Sequence, residues 1–183
     1  GMSSFALEDE ERGLAFRKAG PLDMRFSPEI KFSAADFVNR GEVDEIKRVL
    51  WEYGEERNSG KIAREIEKVR AEHPIQTTQD LADIVKKFTP ERFHNKALSR
   101  VFQAIRIHIN RELDVLKDAL EQTAEMLKPG GRLVVITYHS LEDRIVKNFI
   151  KEKSTDCICP PEFPICVCGH KASVKNLTKK INN

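Results

Sequence analysis

Three groups of side chains in this 183-residue chain have types and spacings that can do chemistry. The first is His139-Ser140-Leu141-Glu142-Asp143-Arg144, directly after the apolar run Leu133-Val134-Val135-Ile136. A histidine can orient a substrate or move a proton near neutral pH, and in open α/β sheets ligands bind outside the carboxyl ends of strands. The same residues also suit a structural duty. Ser140 can cap a following helix, with Asp143 completing a capping box, and acidic residues in a first turn suit the helix dipole; that duty leaves His139 unassigned. The second group is Gly20-Pro21-Leu22-Asp23-Met24-Arg25. It reads either as a turn with a local Asp–Arg pair or as a loop lining a cleft. In the cleft reading Arg17, Lys18 and Arg25 hold phosphates, and Phe16 or Phe26 stacks on a base. The third group is Cys157, Cys159, Cys166 and Cys168, two Cys-x-Cys pairs joined by a proline-stiffened link. Four thiolates can take one Zn²⁺ tetrahedrally; free thiols and disulfides are the alternatives, disulfides being the less expected because nothing points to export.

The elements that must position these groups are mostly helical. Ser33 is a plausible cap for a helix over 34–40 that Gly41 stops. Val43, Ile46, Val49, Leu50 and Tyr53 form one stripe of a second helix, and a third runs over 59–72 until Pro74. A fourth starts at Thr77 or Thr78 and reaches Phe88. From Phe102 to Leu127 apolar residues step by three or four, which predicts a single amphipathic helix of about 28 residues ended by Pro129-Gly130-Gly131. Arg100, Arg106 and Arg111 on it form either a solvated face or a basic ridge. Leu133–Tyr138 then reads as a strand buried on both faces, followed by a helix over 141–152 and a cysteine-bearing tail.

Bulk numbers exclude several classes. With 31 basic and 29 acidic residues the net charge is +2, so nucleic-acid contact would have to come from a local patch. No apolar run approaches the ~20 residues of a membrane span, and the acidic stretch 1–12 lacks the apolar centre of a secretory leader; a cytoplasmic protein without membrane contact is expected. Gly-x-Gly-x-x-Gly, P-loop, HExxH and Gly-x-Ser-x-Gly patterns are absent from the sequence.

The motifs have a further property together. Glu11-Arg12-Gly13-Leu14-Ala15-Phe16-Arg17, Gly20–Arg25, Tyr53-Gly54-Glu55-Glu56-Arg57, Phe102-Gln103-Ala104-Ile105-Arg106, Asn110-Arg111-Glu112-Leu113, Pro129-Gly130-Gly131-Arg132 and Tyr138–Lys147 resemble, in order, the bacterial small-subunit ribosomal RNA cytosine-N4 methyltransferases (the RsmH or MraW family). The cysteine tail also looks like that of some members. The resemblance implies a Rossmann-like domain for S-adenosylmethionine with a helical domain inserted late in it, and methyl transfer to N4 of a cytidine in small-subunit rRNA of the 30S ribosomal subunit. Here 1–32 would be a loop segment of the catalytic domain, 33–100 the helical insert, 101–153 the long helix, late strand and helix of the catalytic domain, and 154–183 the cysteine-rich tail. The expected fold is therefore mainly α with a small β part. Of the family's cofactor motif only Gly1, Ser3 and Ser4 have counterparts, and its glycine-rich loop and early strands have none. The chain is thus expected to be the C-terminal portion of such an enzyme, inactive alone and binding S-adenosylmethionine weakly if at all; a non-catalytic RNA-binding module or a degenerate fragment are the alternatives. Asp23, Arg25, His139, Glu142 and Asp143 are the expected catalytic contributors, Arg17, Lys18, Arg100 and Arg106 the RNA-binding ones. An unpartnered strand over 133–138 also predicts a homodimer that covers it.

Overall fold

The computed structural model describes residues 13–16, 19–160 and 165–177. They form two compact units that divide between Glu112 and Leu113.

The first unit is a helical bundle whose elements start where local chemistry dictates. Helix α1 (Ala34–Arg40) opens on a full capping box: Ser33 Oγ accepts from the Asp36 amide at 3.1 Å while Asp36 Oδ2 accepts from the Ser33 amide at 3.0 Å. Helix α4 (Thr78–Lys86) repeats the device with Thr77 and Asp80. Between them lie α2 (Val43–Glu52) and α3 (Ser59–Glu72), and a 3-10 turn at Glu91–Phe93 leads into α5 (His94–Asn110). Phe37, Ile46, Leu50, Ile62, Ile66, Leu81 and Ile105 are fully buried together, an apolar association that supplies most of the driving force for such a bundle. The segment before α1 belongs to the same core, since Leu14, Leu22 and Met24 are buried in it.

Two expectations about the long helix and the strand change. The amphipathic stripe is continuous in sequence, yet the helix is broken: α5 ends at Asn110, Arg111 is left-handed (φ 51°, ψ 37°), and α6 (Glu112–Met126) begins anew. The cause is tertiary. Asn110 donates its side-chain amide to the Arg106 carbonyl at 2.9 Å and to the distant Met24 carbonyl at 2.8 Å, and the Arg106 guanidinium closes on Glu112 across the break. Side-chain bonds of this kind compete with the helical ladder.

The second unit contains α6 after its first residue, the turn at Pro129–Gly131, and α7 (Ser140–Lys153), with Lys153 Nζ on Glu121 at 2.7 Å joining the two helices. Leu133–Tyr138 forms no strand: among the described residues the sole β-type pairing is the antiparallel bridge Pro21–Thr77. Val134, Ile136 and Tyr138 are 83%, 74% and 76% exposed. A strand buried on both faces requires neighbours on either side, and the described residues offer none. The described fold is thus mainly α, without a sheet. Among the described residues no helix is long and apolar enough to cross a membrane.

Candidate functional site

The loop 20–26 is clamped at both ends to helix starts. Gly20 donates to Thr78 Oγ1 and accepts from the Thr78 amide, Leu22 donates to the Gln76 carbonyl, and the amides of Ala34 and Ala35 return to the carbonyls of Asp23 and Leu22. Leu22 and Met24 enter the core while the side chains of Asp23 and Arg25 stay partly exposed. Gly13 is needed for this approach: its φ is +57°, and a Cβ there would run into the Pro21 carbonyl oxygen.

Asp23 and Arg25 form a two-point pair, Nε to Oδ1 and Nη2 to Oδ2, each 2.7 Å, while Nη1 reaches the Ile30 carbonyl at 2.9 Å. The hydrogen bond to Asp23 raises the Arg25 pKa further above its ordinary value. A fork–fork pair fixes the carboxylate plane more firmly than one lysine contact would. What results is an oriented carboxylate edge on a rigid loop.

His139, Glu142 and Asp143 lie in the second unit, and here the helix start differs from expectation. His139, not Ser140, occupies the N-cap, with extended backbone (φ −143°, ψ 163°); its Nδ1 accepts from the Glu142 amide at 3.4 Å. Glu142 Oε2 accepts in turn from the Tyr138 amide at 2.8 Å. The cap thus falls one residue earlier, Ser140 becomes the first helical residue, and Asp143 is left to pair with Lys147 at 2.7 Å instead of closing a capping box. Because Nδ1 accepts, neutral His139 carries its proton on Nε2. That atom is buried, lacks a hydrogen-bond partner and lies 3.6 Å from Glu142 Oε1, a few tenths of an ångström too far for a bond.

The residues expected to touch RNA divide. Arg17 and Lys18, like Gly1, Ser3 and Ser4, lie outside the described residues. Arg106 is taken up in its pair with Glu112 (2.7 and 3.2 Å), both side chains about 15% exposed, and Arg100 Nη1 faces the buried carboxylate of Glu56 at 4.0 Å. A different basic surface emerges between α2 and α3. Lys47, Arg57, Lys61 and Arg64 line one groove with Trp51, which is 57% exposed. Neither helix reveals this alone; the groove exists because α2 and α3 pack side by side. An exposed tryptophan among basic residues was the available signal.

The four cysteines gather at the end of α7, their Sγ atoms all within 4.8 Å of one another. Amide hydrogen bonds from His170 and Ile158 bring Cys168 down to about 6. At Cys157 the Cys159 amide pulls the pKa down, but side-chain hydrogen bonds with Cys166 and Cys159 prevail and push it up to about 12.

With this geometry in hand, comparison with known proteins is decisive. The sequence model described as the MraW methylase family matches residues 1–183. The chain belongs to the MraW methylase family. Similar curated proteins carry the name ribosomal RNA small subunit methyltransferase H. One from Syntrophotalea carbinolica is 49% identical over 185 residues, covering 98% of this chain and 58% of that protein. Another from Clostridium botulinum (strain Loch Maree) is 48% identical over 182 residues, covering 98% and 59%. One from Carboxydothermus hydrogenoformans is 48% identical over 182 residues, covering 98% and 58%. The chain thus spans just under three fifths of the length of the curated relatives it matches.

Several shared motifs of this MraW-family chain resolve into packing. Gly54 sits where α2 ends against α5: a Cβ there would lie 2.7 Å from the Arg100 carbonyl oxygen and 3.1 Å from Ala104 Cβ. Glu56 is buried and binds the Asn58 amide at 2.9 Å. S-adenosylmethionine, the cofactor of the family, finds no cradle among the described residues. The described glycines that meet neighbours closely meet packed main chain or side chains of this chain, and the described residues form no sheet end on which an adenosine and a carboxylate would rest.

Proposed function

We propose that this chain is the acceptor-side portion of an S-adenosylmethionine-dependent methyltransferase that modifies N4 of a cytidine in small-subunit rRNA, and that it does not turn over alone. The exocyclic amine of cytosine is a poor nucleophile because its lone pair is delocalised into the ring. An acceptor site must hold the amine in line and receive a proton from it. The observation that carries the reading is the Asp23–Arg25 pair, an oriented carboxylate on a clamped loop within a family match over 1–183. In this reading Asp23 accepts a hydrogen bond from the amine and Arg25 holds the carboxylate plane. His139, Glu142 and Asp143, which cluster at the start of α7 in the second unit, are assigned to catalysis by the same reading as a group of their own. Gly1, Ser3 and Ser4 touch the cofactor, whose remaining contacts come from the part of the longer relatives this chain does not cover. Acting on ribosomal RNA makes the cytoplasm the site of action.

Pairing of 133–138 with strands of a Rossmann-like sheet in the longer protein is part of the same proposal, supported by the apolar side chains this segment exposes. In the chain by itself a second copy covers them, giving a homodimer. Light scattering at rising concentration should show twice the monomer mass; a monomer throughout would count against this.

The deciding experiment compares this chain with a full-length relative for methyl transfer from labelled S-adenosylmethionine to immature small subunits. The reading expects label at cytidine N4 with the full-length protein and none with this chain, and no binding of the cofactor by this chain tighter than ~100 µM by calorimetry. Turnover by the chain alone would overturn it. A second reading, a non-catalytic RNA-binding module, is favoured by the basic groove around Trp51; salt-dependent RNA binding without turnover in either protein would support it instead.

A further inference from the structure

The cysteine cluster plays no part in the methyl-transfer reading, and its geometry is more specific than its spacing. Cys166 and Cys168 Sγ are 3.6 Å apart, and Cys168 and Cys157 Sγ are 3.9 Å apart. These separations are far beyond the ~2.05 Å of a disulfide. They bracket another number: four sulfurs each about 2.3 Å from a central Zn²⁺ form a tetrahedron with edges of about 3.8 Å. Two separations therefore match the edge of a tetrahedral thiolate site, and all four sulfurs of the arms 157–159 and 166–168 lie within 4.8 Å of one another.

We propose that Cys157, Cys159, Cys166 and Cys168 bind one Zn²⁺ as a closed four-sulfur site that clasps the C-terminal segment onto the end of α7. Four protein ligands leave no open position for water or substrate, so the ion is structural and does not activate a nucleophile. Gly169 takes the left-handed turn (φ +63°) that redirects the chain after the second arm. Beyond it the segment is anchored independently of sulfur. His170 Nδ1 lies 2.8 Å from the Thr155 carbonyl oxygen, Ala172 donates to Asp156 Oδ1 at 3.1 Å, and the amides of Ser173 and Val174 both reach the Lys153 carbonyl at the end of α7. The clustered ligand atoms are the four cysteine sulfurs, without a His170 nitrogen, so the ligand set is sulfur alone.

Loading is a ligand exchange without redox change: four Zn–S bonds replace bonds to water, and one proton leaves for every thiol protonated beforehand. The test uses the whole chain, purified under reducing conditions without chelator. Elemental analysis should find one zinc per chain. Cobalt(II) in its place should give the strong visible bands of a tetrahedral thiolate complex. All four thiols should resist alkylation until a chelator is added. Chelation should leave the far-ultraviolet helix signal unchanged while opening 154–177 to trypsin, which separates metal loss from global unfolding. Cys166→Ser and Cys168→Ser should each weaken cobalt affinity by more than about 100-fold. Thiols equally reactive with and without zinc, an octahedral cobalt spectrum, or intact Cys–Cys disulfides by mass spectrometry would each overturn the proposal. None of these readouts depends on methyltransferase activity.

Discussion

The side chain of Asn110 holds the main chain around Met24 from 86 positions away. Its Nδ2 donates to the Met24 carbonyl at 2.8 Å and its Oδ1 accepts from the Phe26 amide at 2.8 Å. Met24 itself is left-handed, with φ 61°, a conformation unfavourable for a residue with a side chain. The last residue of α5 therefore stabilises the loop that displays Asp23 and Arg25. Asn110→Ala removes three hydrogen bonds and strands part of the loop backbone; a loss of about 2–4 kcal/mol is expected. Urea unfolding measures it, and a change under ~1 kcal/mol would show that the grip is incidental.

Substitution at the displayed pair should separate activity from stability. Asp23 and Arg25 side chains are about 30% exposed, so their pair is worth about 1 kcal/mol or less to folding. Asp23→Asn is nearly isosteric. In a full-length relative carrying the same loop it should leave the melting temperature almost unchanged and lower methyl transfer by about 10²–10⁴-fold. Equal loss of both would recast the pair as scaffolding.

Gly54→Ala tests the close approach of α2 and α5. The added methyl meets the Arg100 and Leu50 carbonyl oxygens at 2.7 and 2.8 Å, both backbone atoms with little room to move. Overpacking of this kind costs about 1–3 kcal/mol. Thermal melting with helix content as the signal would register it; an unchanged midpoint would mean that α5 shifts freely.

Acid should weaken the helical unit in two stages. Burial against Phe37 lowers the His108 pKa below 6.5, with Glu45, 3.9 Å away, only partly opposing. The unfolded chain then binds that proton more readily than the folded one, so stability falls as pH drops below about 6.5. Asp36 is lowered by hydrogen bonds from Ser33. Its contribution is complete above the ordinary value of 3.8 and is lost as pH falls through the lower folded value. His108→Phe should flatten the upper stage of a stability–pH profile and spare the lower; a profile unchanged by the substitution would exclude His108 as its source.

Elements fixed by neighbours in sequence are legible in it, and those fixed by distant contacts are not. Ser33 and the stop at Gly41 announce α1, and the stripe Ile62–Ile66–Val69 before Pro74 announces α3. The break at Arg111 escapes such reading because the apolar stripe runs straight through it and its cause, the loop at Met24, lies far back in the chain. The cap on α7 falls one residue before the serine that sequence favours, since the histidine imidazole displaces the hydroxyl more often chosen for that position. At the candidate site, Asp23 and Arg25 can be paired from proximity alone, whereas the groove with Trp51 requires two helices to be laid together. The Cys-x-Cys spacing by itself leaves zinc, thiols and disulfides open; sulfur separations narrow the choice.

The apolar run from Leu133 to Tyr138, exposed in each single copy of the chain, carries a colloidal consequence. Salts such as sulfate strengthen the association of surfaces that water solvates poorly. This polypeptide should therefore salt out earlier than its modest net charge suggests, and replacing Val134 and Ile136 with lysine should restore solubility while leaving the helical bundle of 13–112 intact.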